Sequence, residues 1–338
     1  MARKYSPKKH NNKIEPAVQT LTFYVQAPAG SSSVFLDVSQ VASLVNRRFY
    51  RQGLNWPVAG FKILSNPGYT GACVISKLPN TWVMSNAWEK GFRAWQRMNN
   101  DALEENESVR PRFLDFKIYA DSTHHALGFA GNILPVSLSG TYTLGEWEPS
   151  KVVVPSALNA TAATSFSREL LATGASYPGP GASGLDSVSL IEGYASSRAL
   201  PEIRDPNTPD DMVDSTGLAA ENWLTAMFSD GVDSTDIVLD DMGSENNIAP
   251  YPFENDGVNT DTMYPGGANQ GQGLQLHDSE YITGTTIGGT TRLMGGNFPC
   301  GLIRFDLVNN GDADILTLQM NLIPGKHRGY LCEPMTEM

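Results

Sequence analysis

Cysteine is scarce in this chain. Cys73, Cys300 and Cys332 are an odd number with no short spacing, which argues against a disulfide framework and against a cysteine zinc site. They read as buried or incidental thiols in a reducing compartment. No apolar run approaches the length of a membrane span, and the first residues lack the apolar segment of a secretory signal. The five histidines, His10, His124, His125, His277 and His327, fall in no metalloprotease, zinc-finger or dyad pattern. His124 and His125 are neighbours, so on a strand they would face opposite ways. Gly179 to Leu185, GPGASGL, is not the elbow of a serine hydrolase, because Gly184 directly follows Ser183 and no strand leads in. GTTIGG, Gly284 to Gly289, lacks the strand and helix of a dinucleotide fingerprint, and no phosphate-binding loop occurs. The expectation is a protein without catalytic residues.

What is present describes a globular chain of 338 residues, 41% apolar and 18% charged, long enough for one large β domain. Its net charge of −12 is unevenly placed. Arg3, Lys4, Lys8, Lys9 and Lys13 all precede the first acid, Glu15, so residues 1–16 read as a basic arm on an acidic body. Such an arm meets polyanion while the body stays in water; a merely solvated terminus is the plainer alternative.

The densest patterned stretch is Lys77 to Met98, KLPNTWVMSNAWEKGFRAWQRM, which holds three of the six tryptophans. On a 3.6-residue period Met84, Ala87, Trp88, Gly91, Phe92, Trp95 and Met98 share one stripe, opposite Glu89, Lys90, Arg93, Gln96 and Arg97. The spacing predicts a short amphipathic helix, with Asn80 or Ser85 as cap and an end at Asn99 to Asp101. Trp82, Trp88, Phe92 and Trp95 are then either domain core or subunit interface.

Almost everything else reads as strand and loop. Val18 to Ala27 alternates, Val34 to Val38 leads through Ser39 as cap into a brief helix, and Trp56 to Leu64 with Ala72 to Lys77 reads as a hairpin around Asn66, Pro67 and Gly68. Arg112 to Asp121, Tyr142 to Trp147, Lys151 to Val154 and Ser187 to Ala195 read as further strands. Ile303 to Leu307 and Leu316 to Leu322 alternate on either side of a turn at Asn309 to Gly311. Long loops are expected over about 156–300, within a single domain spanning 17–323, followed by a C-terminal tail, 324–338. In NRRFYRQG, Asn46 to Gly53, Arg47, Arg48 and Arg51 surround two aromatics. Such a cluster can hold phosphate in guanidinium forks and stack bases, or form a salt-bridge site, which is the preferred reading. Asp230, Asp233 and Asp236 are hard oxygen donors suited to calcium, although their spacing is not that of a helix-loop-helix site, and solvated loop acids are the plainer reading.

Two segments, NRRFYRQGLNWPVAGF (Asn46 to Phe61) and KLPNTWVMSNAWEKGFRAW (Lys77 to Trp95), resemble the capsid proteins of small circular, replication-protein-encoding single-stranded DNA viruses. The resemblance covers about a quarter of the chain. It implies an all-β fold, a single jelly roll of two packed four-stranded antiparallel sheets with a short inserted helix and long loops. It also implies a non-enzymatic virion component: a homo-oligomer of about 60 copies or a multiple, closed by symmetry. Assembly would occur inside the host cell around single-stranded DNA, with the basic arm facing the genome, no cofactor and no membrane partner; no host receptor can be read from any motif. The short arm is a departure from the family's arginine-rich ones and implies salt-sensitive genome binding. The rival expectation is a β-sandwich carbohydrate-binding or adhesive module, calcium-dependent through the acidic loop; a glycoside hydrolase using two loop carboxylates ranks below it.

Overall fold

The computed structural model describes residues 16–104, 108, 115–156, 164–197, 223–224, 273–283 and 289–337. In chain order the main elements are β1 (Thr20–Ala27), β2 (Gly30–Asp37), α1 (Val38–Asn46), β3 (Leu54–Leu64), β4 (Gly71–Lys77), α2 (Trp82–Glu104) and α3 (Ser122–Leu127). There follow β5 (Lys151–Ser156), β6 (Thr164–Leu171), β7 (Ser187–Ser189), α4 (Leu190–Ser197), β8 (Gln275–Ile282), β9 (Thr290–Phe298), β10 (Leu302–Asn309) and β11 (Asp314–Leu322).

Eight of these strands make two antiparallel sheets, ordered β1-β11-β3-β9 and β8-β4-β10-β2. Each chain-adjacent pair, β1/β2, β3/β4, β8/β9 and β10/β11, is split between the sheets. That strand order is a jelly roll. Alternation drives it: Leu21, Phe23 and Val25 of β1, Phe61 and Ile63 of β3, and Leu316, Leu318 and Met320 of β11 point inward. They meet Cys73 and Ile75 of β4 and Ile303, Phe305 and Leu307 of β10. Phe61 sits edge-on to both Phe298 and Phe305, at 5.6 and 5.5 Å between ring centroids. Burial pushes the Cys73 thiol up to about 12, with weaker help from Asp306 and Asp278, so it behaves as an apolar filler.

The two stretches that read as hairpins are therefore corrected. β3 and β4, and likewise β10 and β11, cross from one sheet to the other. A tight turn between two alternating runs serves either geometry, and the alternation is the same in both. The turns gather at one end, where Ser65 N–H donates to Gly289 C=O (2.8 Å) and Asn310 N–H to Thr70 C=O (2.9 Å). The other end carries α1, the long β4–β8 connection and the Pro299–Gly301 turn.

The β4–β8 connection builds a second apolar cluster from α2, β5, β6, β7 and α4, capped by Cys300, Leu302 and Met335. β6 pairs antiparallel with β5 and parallel with β7. Folded structure here replaces much of the loop expected over 156–300, and β8 and β9, which complete the roll, also lie in that range. β8 is an edge strand with seven of its eight residues exposed or half-exposed, and its polar QLHDSEYI shows no alternation. α2 is not short: it runs for 23 residues, and Thr81, ahead of it, receives the Met84 and Ser85 amides instead of Asn80 or Ser85 acting as cap. Asp37, not Ser39, caps α1. In the Arg112 to Asp121 stretch, 112–114 lie outside the described residues, and the rest makes a single bridge, Tyr119 to Leu171. Tyr142 to Trp147 is not a strand, and Ser187 to Ala195 turns helical after Ser189. The expected C-terminal tail is folded back: Glu333 and Pro334 pair with Asn55 and Leu54 of β3, and Tyr330 and Met335 are fully buried. Among the described residues no helix is long and apolar enough to cross a membrane.

Candidate nucleic-acid interface

The arginine cluster begins where α1 stops. Arg47 closes that helix in a left-handed conformation (φ 55°) and is exposed. Tyr50 then plunges into the core against Trp56 and Tyr330, and its hydroxyl donates to Arg328 C=O (2.8 Å). Arg48 donates to the same carbonyl at 3.2 Å. Gln52, fully buried, holds Ile118 by both of its amide groups: Oε1 accepts from Ile118 N–H (2.7 Å) and Nε2 donates to Ile118 C=O (3.0 Å). Gly53 is small by necessity, since a Cβ there would lie 2.3 Å from the Trp88 ring. The two segments that carry the family resemblance thus pack directly on each other.

The C-terminal segment completes the wall. Met335 N–H donates to Gly53 C=O (3.2 Å), and Ser85 Oγ donates to Met335 C=O (2.6 Å). Between these three pieces of chain lies a pocket of about 450 Å³ whose lining includes Phe49, Arg51, Trp88, Glu89, Phe92, Phe116, His327 and Arg328. Trp88 and Phe92 are stacked at 5.2 Å and 11°, and Phe116 stands edge-on to Phe92 at 5.5 Å. Trp88 is buried, yet its indole N–H has no acceptor among the described residues. Glu89 is already paired with Arg93 at 2.6 Å, whereas Arg51 makes no ion pair among the described residues. Guanidinium groups beside flat rings can hold an anion and stack a planar group.

Of the residues singled out from sequence, Arg51, Trp88 and Phe92 come together at this pocket. Arg47 and Arg48 lie next to Arg51 in sequence, and within the one chain neither Arg47 nor Arg51 makes an ion pair among the described residues. Trp82 and Trp95 are half-buried against the second core, in which Trp88 is itself enclosed. Arg3, Lys4, Lys8, Lys9 and Lys13, and Asp230, Asp233 and Asp236, lie outside the described residues. No set of three metal-ligating side chains occurs among the described ones. Phe116, His327 and Arg328 were missed. The basic KHR at 326–328 was visible, but nothing local marked that segment as returning to β3.

Beneath the pocket a buried polar network ties the roll to the insertion. Asp37 accepts from the amides of Ser39 (2.9 Å) and Gln40 (3.2 Å), from Gln52 Nε2 (3.1 Å) and from Trp147 Nε1 (3.1 Å). Burial pushes its pKa up to about 6, against the pull of those four donors. His124 Nδ1 accepts from Ala120 N–H (3.1 Å), so the ring proton sits on Nε2 and is donated to Asn132 Oδ1 (2.8 Å). Asn132 passes the chain to Gln40 Oε1 (3.0 Å). Burial drives the His124 pKa down to about 3, only partly opposed by the Asn132 bond.

The adjacent His125 makes a second buried arrangement. Its Nε2 lies 3.0 Å from Glu169 Oε2, and its Nδ1 lies 3.4 Å from Ser187 Oγ. Serine, histidine and carboxylate occur here in the order of a hydrolytic triad, but all three are at most 1% exposed. A substrate has no access to them; the Ser187–His125 bond ties α3 to β7, while His125 Nε2 and the Glu169 carboxylate of β6 lie close without hydrogen-bond geometry. Adjacent histidines that would diverge on a strand are both buried on α3. Compared with known proteins, the chain matches no family model, no curated protein and no solved structure.

Proposed function

We propose that this protein is a structural subunit that self-assembles into a closed icosahedral shell around a single-stranded DNA genome. The observation that carries the reading is the eight-stranded jelly roll itself, with its elaborations gathered at the end opposite the tight turns. A roll of this kind offers rigid sheet sides and a broad built-up end, and repeated copies of one interface close a cage by symmetry. The direct packing of the two capsid-like segments, Gly53 against Trp88, supports it further, because the resemblance falls on a single built site. The basic arm lies on the genome side in this reading, and the weakness of five cations makes packaging salt-sensitive. The test is electron microscopy and sedimentation of the purified full chain. Closed particles of about 60 subunits or a multiple are expected. A protein that stays monomeric at high concentration across a range of salt, and that binds an immobilised glycan, refutes the shell and establishes the carbohydrate-binding alternative.

A further inference from the structure

We infer that the pocket between Arg51, Trp88 and Arg328 seats one nucleotide of a single-stranded nucleic acid, its base among the rings and its phosphate at the guanidiniums. The inference rests on the shell reading and deepens it, since it gives the genome a site on the folded domain as well as on the arm.

Four observations converge. The pocket's volume of about 450 Å³ lies within the range of small-molecule sites, about 300–1,000 Å³. Its walls are flat rings: Trp88 and Phe92 are already parallel, and Phe116 presents an edge. Trp95 already continues the stack beyond Phe92, at 6.1 Å and 24°, so a base packs against the exposed parts of these rings without lengthening the column.

Charge selects the class of occupant. The body of the protein is acidic, and an anion approaching most of its surface is repelled. Here the sign reverses locally. Arg51 is exposed, and Arg328 is steered by donating one N–H to Phe49 C=O, which leaves other guanidinium donors. The one carboxylate in the lining, Glu89, is engaged with Arg93.

The root of the arm lies beside the same wall. Val18 N–H donates to Asn46 Oδ1 (3.0 Å), and the Tyr330 hydroxyl donates to Val18 C=O. Asn46 directly precedes Arg47 and Arg48, and Tyr330 packs on Tyr50. Val18, which follows the five cations in sequence, is thus anchored near Arg328, and one polyanionic strand bound at the pocket lies close to where the described chain begins. An acidic, aromatic peptide from a second copy would meet the same pocket charges, but the neighbouring arm cations favour a polyphosphate.

The experiment is fluorescence anisotropy of the full chain with a labelled oligothymidylate and with an abasic strand of equal length and charge. Arg51→Glu and Phe92→Leu are measured alongside, with circular dichroism to establish that each is folded. Arg51 is exposed, and leucine keeps most of the apolar volume of Phe92. The base-bearing strand is expected to bind roughly tenfold tighter than the abasic one. Phe92→Leu should erase most of that difference, and Arg51→Glu should weaken both strands and flatten the salt dependence. Equal affinities for the two strands in the wild-type chain overturn the inference. So does Arg51→Glu that blocks particle formation yet leaves oligonucleotide binding intact, because the pocket then belongs to a neighbouring copy. Particles that assemble normally despite equal strand affinities sink the pocket and spare the shell, whereas a wild-type chain that forms no particles sinks the shell itself.

Discussion

Asp37→Asn should make the protein acid-sensitive in a way that the wild type is not. Asp37 has a folded pKa raised from 3.8 to about 6, so between those values the folded chain holds a proton that the unfolded chain has released. Stability from this group therefore falls as pH rises through that window. His124 is the opposite case. Its folded pKa is depressed from 6.5 to about 3, so the unfolded chain holds the proton, and stability falls as pH drops below 6.5. Between about pH 4 and 6 each slope is about 1 kcal/mol per pH unit with opposite sign, and the two cancel. Asparagine removes the first slope and leaves the second. At pH 7 the variant loses two charge-assisted bonds, from Gln52 and Trp147, of about 1.5–3 kcal/mol each. The raised pKa already weighs those bonds against burial and still disfavours the charge by about 3 kcal/mol, so a neutral side chain is tolerated there and the variant folds. Urea denaturation followed by tryptophan fluorescence at pH 6 and 4.5 should then show the variant losing about 2 kcal/mol more than the wild type. Other groups titrate alike in both proteins and drop out of the difference. Parallel losses in the two proteins would refute the linkage argued from the buried network.

Trp88→Ala should unfold the subunit instead of yielding folded, unassembled chains, because the ring is enclosed by the second core; a cost of about 3–5 kcal/mol is expected, read by circular dichroism with sedimentation. Gly53→Ala should lower the melting temperature through a Cβ placed 2.3 Å from the Trp88 ring, at about 1–3 kcal/mol, and the loss should shrink when Trp88→Leu accompanies it. His125→Leu alone strands the buried Glu169 and should cost about 3–5 kcal/mol, while His125→Leu with Glu169→Leu should cost clearly less than the two single changes summed. Additive costs in that double-mutant cycle would show that the two side chains do not interact.

The inward faces of β1, β10 and β11 were legible because each has one buried and one wet side, which writes itself as alternation in sequence. β8 was not, since an edge strand with polar residues on both faces carries no such mark. The α2 stripe was legible for the same reason as the strands, but its length was not: the helix continues through Asn99 and Asn100 because packing outweighs their weak preference for a stop. The pocket was half visible. Arg51, Trp88 and Phe92 stood out by type and clustering, whereas Phe116 and Arg328 reach it only through the Gln52–Ile118 bonds and the return of the C-terminal segment to β3. Contacts between residues nearly 300 positions apart leave no local trace.

The ladder between β1 and β11 joins Thr20 to Asn321, and β3 reaches the sheet centre only by pairing with the same late strand. While the ribosome is still adding the last segment, β1 has no ladder to join and the first sheet is split, although β3 can already pair with β9 and the second sheet needs nothing later than β10. The first sheet is joined across its width only when synthesis is nearly finished. In the proposed shell, a chain that stops short of β11 would bring a split sheet to its neighbours.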